Sequence, residues 1–425
     1  MIKEYSQLLI DIQKKSNITV SNSKDLKFLK EEIESVIGEA IGYNTLRRLF
    51  GFLEKREPNS VTLNRLASYL GYGSFSKYKN NKSNYSDWYF QQFLLQIRGN
   101  NKITSTEVET INSAIINENN IVYLAYYIAY HIEKDNIDIV RTLFYQLALE
   151  NVSGTQLHKF GIIISLSLSN VTDQKALNFY EALIHCDNFR NFVPLLNIDY
   201  SSLHSRYHDI LQIIIKNNTS SSDVFFANLM MIYKDYYMGH SNFESFSLAK
   251  PKHFSNFYVV LKGRYYGACF LTNQKNIHKI KNEIIHECGK NKISYFLQEI
   301  IPALIITEEY LFLEKILERY YEEIFEVDVW SNETTNAIYL IGLATVNWKN
   351  KKYTSAKNNL DLVELGKVEI GYIDYISLFY HLTNMKISFS ENDPTANGNS
   401  KNEIRKIVAK TKFSKIENEL LKYIV

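Results

Sequence analysis

Three cysteines, five prolines and 16 glycines are few for 425 residues, and each shortage removes a class of protein. Cys186, Cys269 and Cys288 are odd in number and too far apart for a CxxC pair, which excludes a disulfide framework and a zinc knuckle. Scarce proline and glycine, with no long stretch alternating apolar and polar residues, exclude a turn-rich β architecture. The longest apolar-looking run, Ile121 to Ile132, stops at 12 residues, short of the roughly 20 that span a bilayer. The opening MIKEYSQLLIDIQKK sets acids among its apolar positions and offers no small-residue cleavage site, so no signal peptide is expected. Strong charge of one sign is missing too: 48 basic against 46 acidic side chains leave +2, which argues against a protein that coats nucleic acid generally. A soluble, cytoplasmic protein with no membrane partner is the expectation.

What is present is helical pattern. Apolar residues make up 45% of the chain, and they recur at helical spacing in segment after segment, separated by short polar breaks. The fold class expected is all-α. In residues 1–82 an amphipathic helix over 3–15 and a second over Asp25 to Ile37, ended by Gly38, would wall a short helix starting at Asn44 or Thr45. Glu57-Pro58-Asn59-Ser60 breaks the pattern, because proline cannot continue the helical ladder. Another helix then runs from about Thr62 to Gly71. Lys77 to Asp87 lacks apolar periodicity and reads as a linker.

Residues 83–425 read as helix pairs in series, the signature of an α-solenoid, where one pair cannot bury its apolar face without its neighbours. Leu340, Leu343, Ala344, Tyr353, Ala356, Leu360 and Val363 fall at the spacings of the packing residues of a tetratricopeptide repeat. Asn347 stands where an aromatic is usual, no proline closes the repeat, and the other pairs follow no strict period, so the array is tetratricopeptide-like and degenerate. The polar run Ser390 to Ser400 is expected to be a loop, and Glu403 to Tyr423 a final helix that caps the array.

Signals for chemistry are weak. Gly71-Tyr72-Gly73-Ser74 lacks the third glycine of a dinucleotide loop and the Lys-Ser/Thr of a phosphate loop, and it ends a helix. His204 and His208 are four apart and could share a metal from one helix face, yet no HExxH glutamate or nearby third ligand accompanies them; a solvated or core-edge pair is the simpler reading. His185-Cys186 and His286-Glu287-Cys288 read as packing residues. No enzyme, cofactor or metal is expected. Tyrosine is abundant, with 31 copies. Tyr123, Tyr126, Tyr127 and Tyr130, and again Tyr233 and Tyr237, are either inter-helix packing residues or the lining of an aromatic groove that holds a peptide or protein partner.

The one concentrated signal is electrostatic. Residues 42–82 carry eight Lys or Arg against Glu54 and Glu57, a local +6, whereas residues 91–425 carry 34 basic and 36 acidic groups, or −2. Within that stretch Leu46, Leu49 and Phe50 would face a core, which leaves Tyr43, Asn44, Thr45, Arg47 and Arg48 outward with donors for phosphates and base edges. Short arginine-bearing helices also occur in protein-contact domains. The run T-L-R-R followed by P-N-S-V-T-L-N-R-L-A-S-Y-L-G-Y resembles the recognition helix and following helix of lambda-repressor-like (Cro/CI, XRE) helix-turn-helix domains. It also resembles an N-terminal segment of many uncharacterised bacterial helical proteins. The first resemblance implies that the helix from Asn44 to Phe52 enters the major groove of duplex DNA. Asn44, Thr45 and Arg47 would then approach bases, and Arg48, Arg56, Arg65 and Lys77 would neutralise phosphates. Lys30 to Ala40 is acidic where that family places a phosphate-contacting helix. A helix-turn-helix ahead of a tetratricopeptide array is also similar, as an arrangement, to peptide-responsive bacterial regulators, which implies a peptide or protein ligand and a possible homodimer. The alternative is a non-catalytic scaffold that binds its partner in the tyrosine-rich groove.

Overall fold

The computed structural model describes residues 5–54, 58–81, 85–117, 119–217, 220–240, 250–272, 276–288, 293–325 and 332–421, and all the regular structure among them is helical. The chain divides into two compact units, Met1–Arg98 and Gly99–Val425. No helix among the described residues is long and apolar enough to cross a membrane.

Among the described residues the first unit holds six helices: α1 (Ser6–Ser16), α2 (Ser23–Ile37), α3 (Tyr43–Leu49), α4 (Ser60–Tyr69), α5 (Phe75–Asn81) and α6 (Tyr85–Ile97). Leu8 and Ile12 of α1, Leu26, Leu29 and Ile33 of α2, Leu46 of α3 and Leu66 of α4 recur at helical spacing and close into one core, as the apolar stripe of each helix demands. Helix α2 begins in a reciprocal capping box: Asn22 accepts from Lys24 and Asp25 amides, while Asp25 accepts from the Asn22 amide at 3.0 Å. Helix α3 starts after Gly42, with no side-chain cap, so Asn44 and Thr45 lie inside its first turn rather than capping it. Its end is set by Gly51, whose φ of 84° is open to glycine without strain. The Phe52 amide then reaches the Arg47 carbonyl at 2.8 Å and the Gly51 amide the Arg48 carbonyl at 3.3 Å, which closes the last turn as a Schellman motif. Helix α4 starts earlier than its pattern suggests because Asn59 accepts from the Thr62 amide at 2.8 Å.

Of the expected linker Lys77 to Asp87, residues 77–81 lie in α5 and residues 85–87 in α6, so its described residues are helical. Two aromatic contacts outweigh the polar composition. Tyr78 is buried, its hydroxyl donating to Asp11 of α1 at 2.7 Å, and Phe75 stacks on it. Burial first, and the Asp11 bond second, push the Tyr78 pKa well above the usual phenol range.

In the second unit the Asn332–Lys349 and Tyr353–Asp361 helices pack against each other, with Ala344 and Ala356 both buried. Contacts also join residues far apart in sequence. His158 pairs with Glu369, Tyr200 stacks on Tyr375 at 4.0 Å, and the Ser414 hydroxyl donates to the Met238 carbonyl at 2.6 Å. The expected loop at Ser390 to Ser400 is instead mostly the first half of a helix, Pro394–Thr411. Asp393 caps it through the Ala396 amide at 3.0 Å and Pro394 sits in its first turn, where a missing N–H costs nothing. That helix stops at Lys412, in the left-handed conformation, and Ser414–Leu421 follows separately.

Candidate nucleic-acid interface

Helix α3 is anchored by Leu46 and Leu49, both buried. The anchoring leaves Asn44 exposed and Tyr43, Thr45, Arg47 and Arg48 half-buried. Tyr43 packs against the core edge, and its hydroxyl donates to the Ser23 carbonyl at the start of α2 at 2.9 Å. The Arg47 guanidinium lies 5.9 Å from the centre of the Tyr43 ring, within cation–π range. Its Nε is buried with no hydrogen-bond partner. An unmet donor of this kind costs free energy in the resting protein.

The acidic residues of α2 are partly engaged elsewhere. Glu34 takes Lys30 at 2.6 Å and the Ile41 amide at 2.7 Å, which pins the turn between α2 and α3; the Lys30 bond, then the Ile41 bond, lower its pKa. Arg65, expected on a phosphate, donates to Glu39 at 2.6 Å and to the Ala40 carbonyl at 2.7 Å. It therefore ties α4 to the same turn. Arg48 and the exposed Lys77 have no ion-pair partner among the described residues. Arg56 lies outside the described residues. The cations expected to act together thus separate into a pair on α3, Arg47 and Arg48, a turn-bracing Arg65 and an exposed Lys77 on α5.

The tyrosines part company in the same way. Within the Asn120–Glu133 helix Tyr126 is exposed, Tyr127 is buried, and Tyr123 and Tyr130 are half-buried, so they do not share one open face. Tyr233 and Tyr237 are fully buried. Their hydroxyls meet the Arg264 carbonyl at 3.3 Å and the Tyr375 hydroxyl at 2.9 Å, and Tyr237 stacks on Phe413. These two are core residues rather than the lining of a partner groove, because the Val259–Leu271 helix covers Tyr233 and Tyr375 and Phe413 cover Tyr237.

His204 precedes the Arg206–Asn217 helix and so does not share a helical face with His208, which instead sits 3.1 Å from the Lys234 ammonium. Among the described residues no three His, Cys, Asp or Glu side chains are grouped to hold a metal. Burial lowers the pKa of His204, His208 and His381 below the model-compound value of 6.5, with Lys412 adding to the effect at His204 and Lys234 at His208. The unfolded chain therefore binds these protons more readily than the folded one, so stability is complete above pH about 6.5 and is lost as pH falls below it. Thermal melts between about pH 7 and 5 should show a falling midpoint, and His381→Phe should show a smaller fall. An equal fall in both proteins would remove His381 from the cause.

No family model matches the chain, and neither a curated protein nor a solved structure matches it.

Proposed function

We propose that the chain is a DNA-binding regulator whose first unit acts as a lambda-repressor-like helix-turn-helix, with α3 as the reading helix. Asn44, Thr45 and Arg47 face base edges in the major groove of duplex DNA, and Arg48 and Lys77 neutralise phosphates. The second unit, read as a degenerate tetratricopeptide-like α-solenoid, serves sensing or dimerisation and carries no catalytic role. The observation that supports this reading most is the Arg47 side chain: stacked on an anchored tyrosine, with its Nε unmet, it gains a partner when the guanidinium swings out to a guanine. Arginine bidentate to guanine is the commonest specific contact of this kind.

Fluorescence anisotropy with random and genomic duplexes at low salt tests it. Arg48→Ala should weaken every duplex alike and reduce the slope of log affinity against log salt by about 0.9. Arg47→Ala should lose about 1–3 kcal/mol on preferred sequences and far less on random ones. Absence of salt-sensitive retention of either duplex by the wild-type protein would end the reading. The competing scaffold reading draws on exposed apolar side chains of the second unit, Tyr126, Tyr258 and Leu311. It predicts a stoichiometric protein partner that survives nuclease treatment.

A further inference from the structure

A cleft of about 380 Å³ opens in the second unit between the C-terminal half of the Gly154–Ser169 helix, the segment around Tyr200–Ser202 and the start of the Ile370–Ser390 helix. Its walls carry Ile162, Leu166, Ile370 and Ile373, with a few polar groups among them. That mixture, in a volume at the low end of small-ligand pockets, is the usual composition of a binding site.

The polar groups are unequally committed. Asp199 already accepts from the Ser201 and Ser202 amides at 3.1 and 3.3 Å and from the Ser202 hydroxyl at 2.6 Å, and it lies 3.4 Å from Arg206. Asp374, behind the lining, accepts from Ser201 and from Lys410 at 2.6 Å. Glu369 precedes the Ile370–Ser390 helix, but its carboxylate makes no bond to the helix amides and is engaged by His158 instead. The carboxylates are thus held by internal partners, whereas several donors have capacity left. Ser165 Oγ is buried with no hydrogen-bond partner. Lys410 keeps most of its side chain in solvent and has further N–H groups to offer. The amides of Ile370 and Gly371, in the first turn, have no acceptor within their own helix. Donors surround an apolar trough.

We propose that this cleft binds a small carboxylate with a short branched aliphatic body, the carboxylate received by Lys410, Ser165 and the first-turn amides, and the body lying on Ile162, Leu166, Ile370 and Ile373. The proposal gives a ligand class to the sensing role assigned to the second unit. It is read without DNA, so the two fail separately.

Two sources share this chemistry, a plain branched-chain acid and the matching amino acid. Calorimetric titration of the full chain with isovalerate, L-valine, isovaleramide and inorganic phosphate separates them. Saturable binding of isovalerate, at least tenfold tighter than isovaleramide, is expected because a hydrogen bond to a charged group contributes about 1.5–3 kcal/mol. Tighter binding of L-valine than of isovalerate assigns the amino acid; the reverse order assigns the plain acid. Lys410→Met, a change on an exposed side chain, and Ser165→Val should each weaken the carboxylate roughly tenfold, and far-ultraviolet melts without ligand confirm that each variant folds. Lack of saturation by both carboxylates, equal binding of the amide, tighter binding of phosphate, or unchanged affinity in both variants overturns the proposal.

Discussion

Glu299→Ala is expected to destabilise the second unit by about 3–5 kcal/mol, the cost of leaving a buried charge without its partner. Arg264 and Glu299 meet at 2.9 Å with side chains only 4% and 3% exposed. Tyr372 accepts from Arg264 at 3.1 Å and donates to Glu299 Oε1 at 3.4 Å, and Gln298 donates to the same oxygen at 3.2 Å. The guanidinium also lies 5.1 Å from the centre of the Phe226 ring. Burial is the largest influence on Arg264 and works against its charge, yet the Glu299 carboxylate together with Tyr372, Tyr200 and Tyr207 outweighs it and the guanidinium pKa ends above its ordinary value. Removing the carboxylate strands that cation in a place water does not reach. The double variant Arg264→Met/Glu299→Leu should recover most of the loss, since well-packed apolar groups often replace such a pair at no net cost. Urea denaturation of the three proteins measures both effects. A loss under about 1 kcal/mol for Glu299→Ala would show that water reaches Arg264 after all.

The second large effect is expected at Gly161. A β-carbon there would stand 1.9 Å from the Phe192 carbonyl oxygen and 2.5 Å from Asn197 Nδ2. The oxygen belongs to the backbone and already accepts from Asn197 at 2.8 Å, so neither neighbour yields cheaply. Gly161→Ala should therefore cost about 3 kcal/mol, although alanine is better than glycine in a helix by about 1 kcal/mol. Gly398 is the control. It lies in the Pro394–Thr411 helix with nothing within 4 Å of a new β-carbon, so Gly398→Ala should raise stability by up to about 1 kcal/mol. If both substitutions stabilised the protein, the close packing at Gly161 would be disproved.

The helices were legible because their cause is local. The stripe Leu26, Leu29, Ile33 and the stop at Gly38 lie within a few turns of one another, and α2 ends at that glycine. Misjudged segments were those whose cause lies elsewhere in the chain. Residues 77–81 are helical because Tyr78 finds Asp11, 67 residues away, and polar composition cannot announce that partner. Tyr233 and Tyr237 had the spacing of an open groove, and only Arg264 for the first, and the distant Tyr375 and Phe413 for the second, decide that they are closed. On α3 the inward positions Leu46 and Leu49 were readable, but the half-burial of Tyr43 and Arg47 and the pairing of Arg65 with Glu39 were not. The cleft was invisible in the same sense. Its groups come from positions 162 to 410, and no local motif links Ser165 to Lys410.

The pairing of His158 with Glu369 spans 211 residues, and its consequence is one of timing. A chain emerging from the ribosome exposes the Gly154–Ser169 helix long before the Ile370–Ser390 helix exists to cover it. Contacts of such separation slow folding, and surface awaiting them is prone to aggregate. Synthesis therefore leaves the interior around Tyr200 and Tyr233 waiting for its cover, and chains released before residue 370 should be substrates for chaperones or proteases.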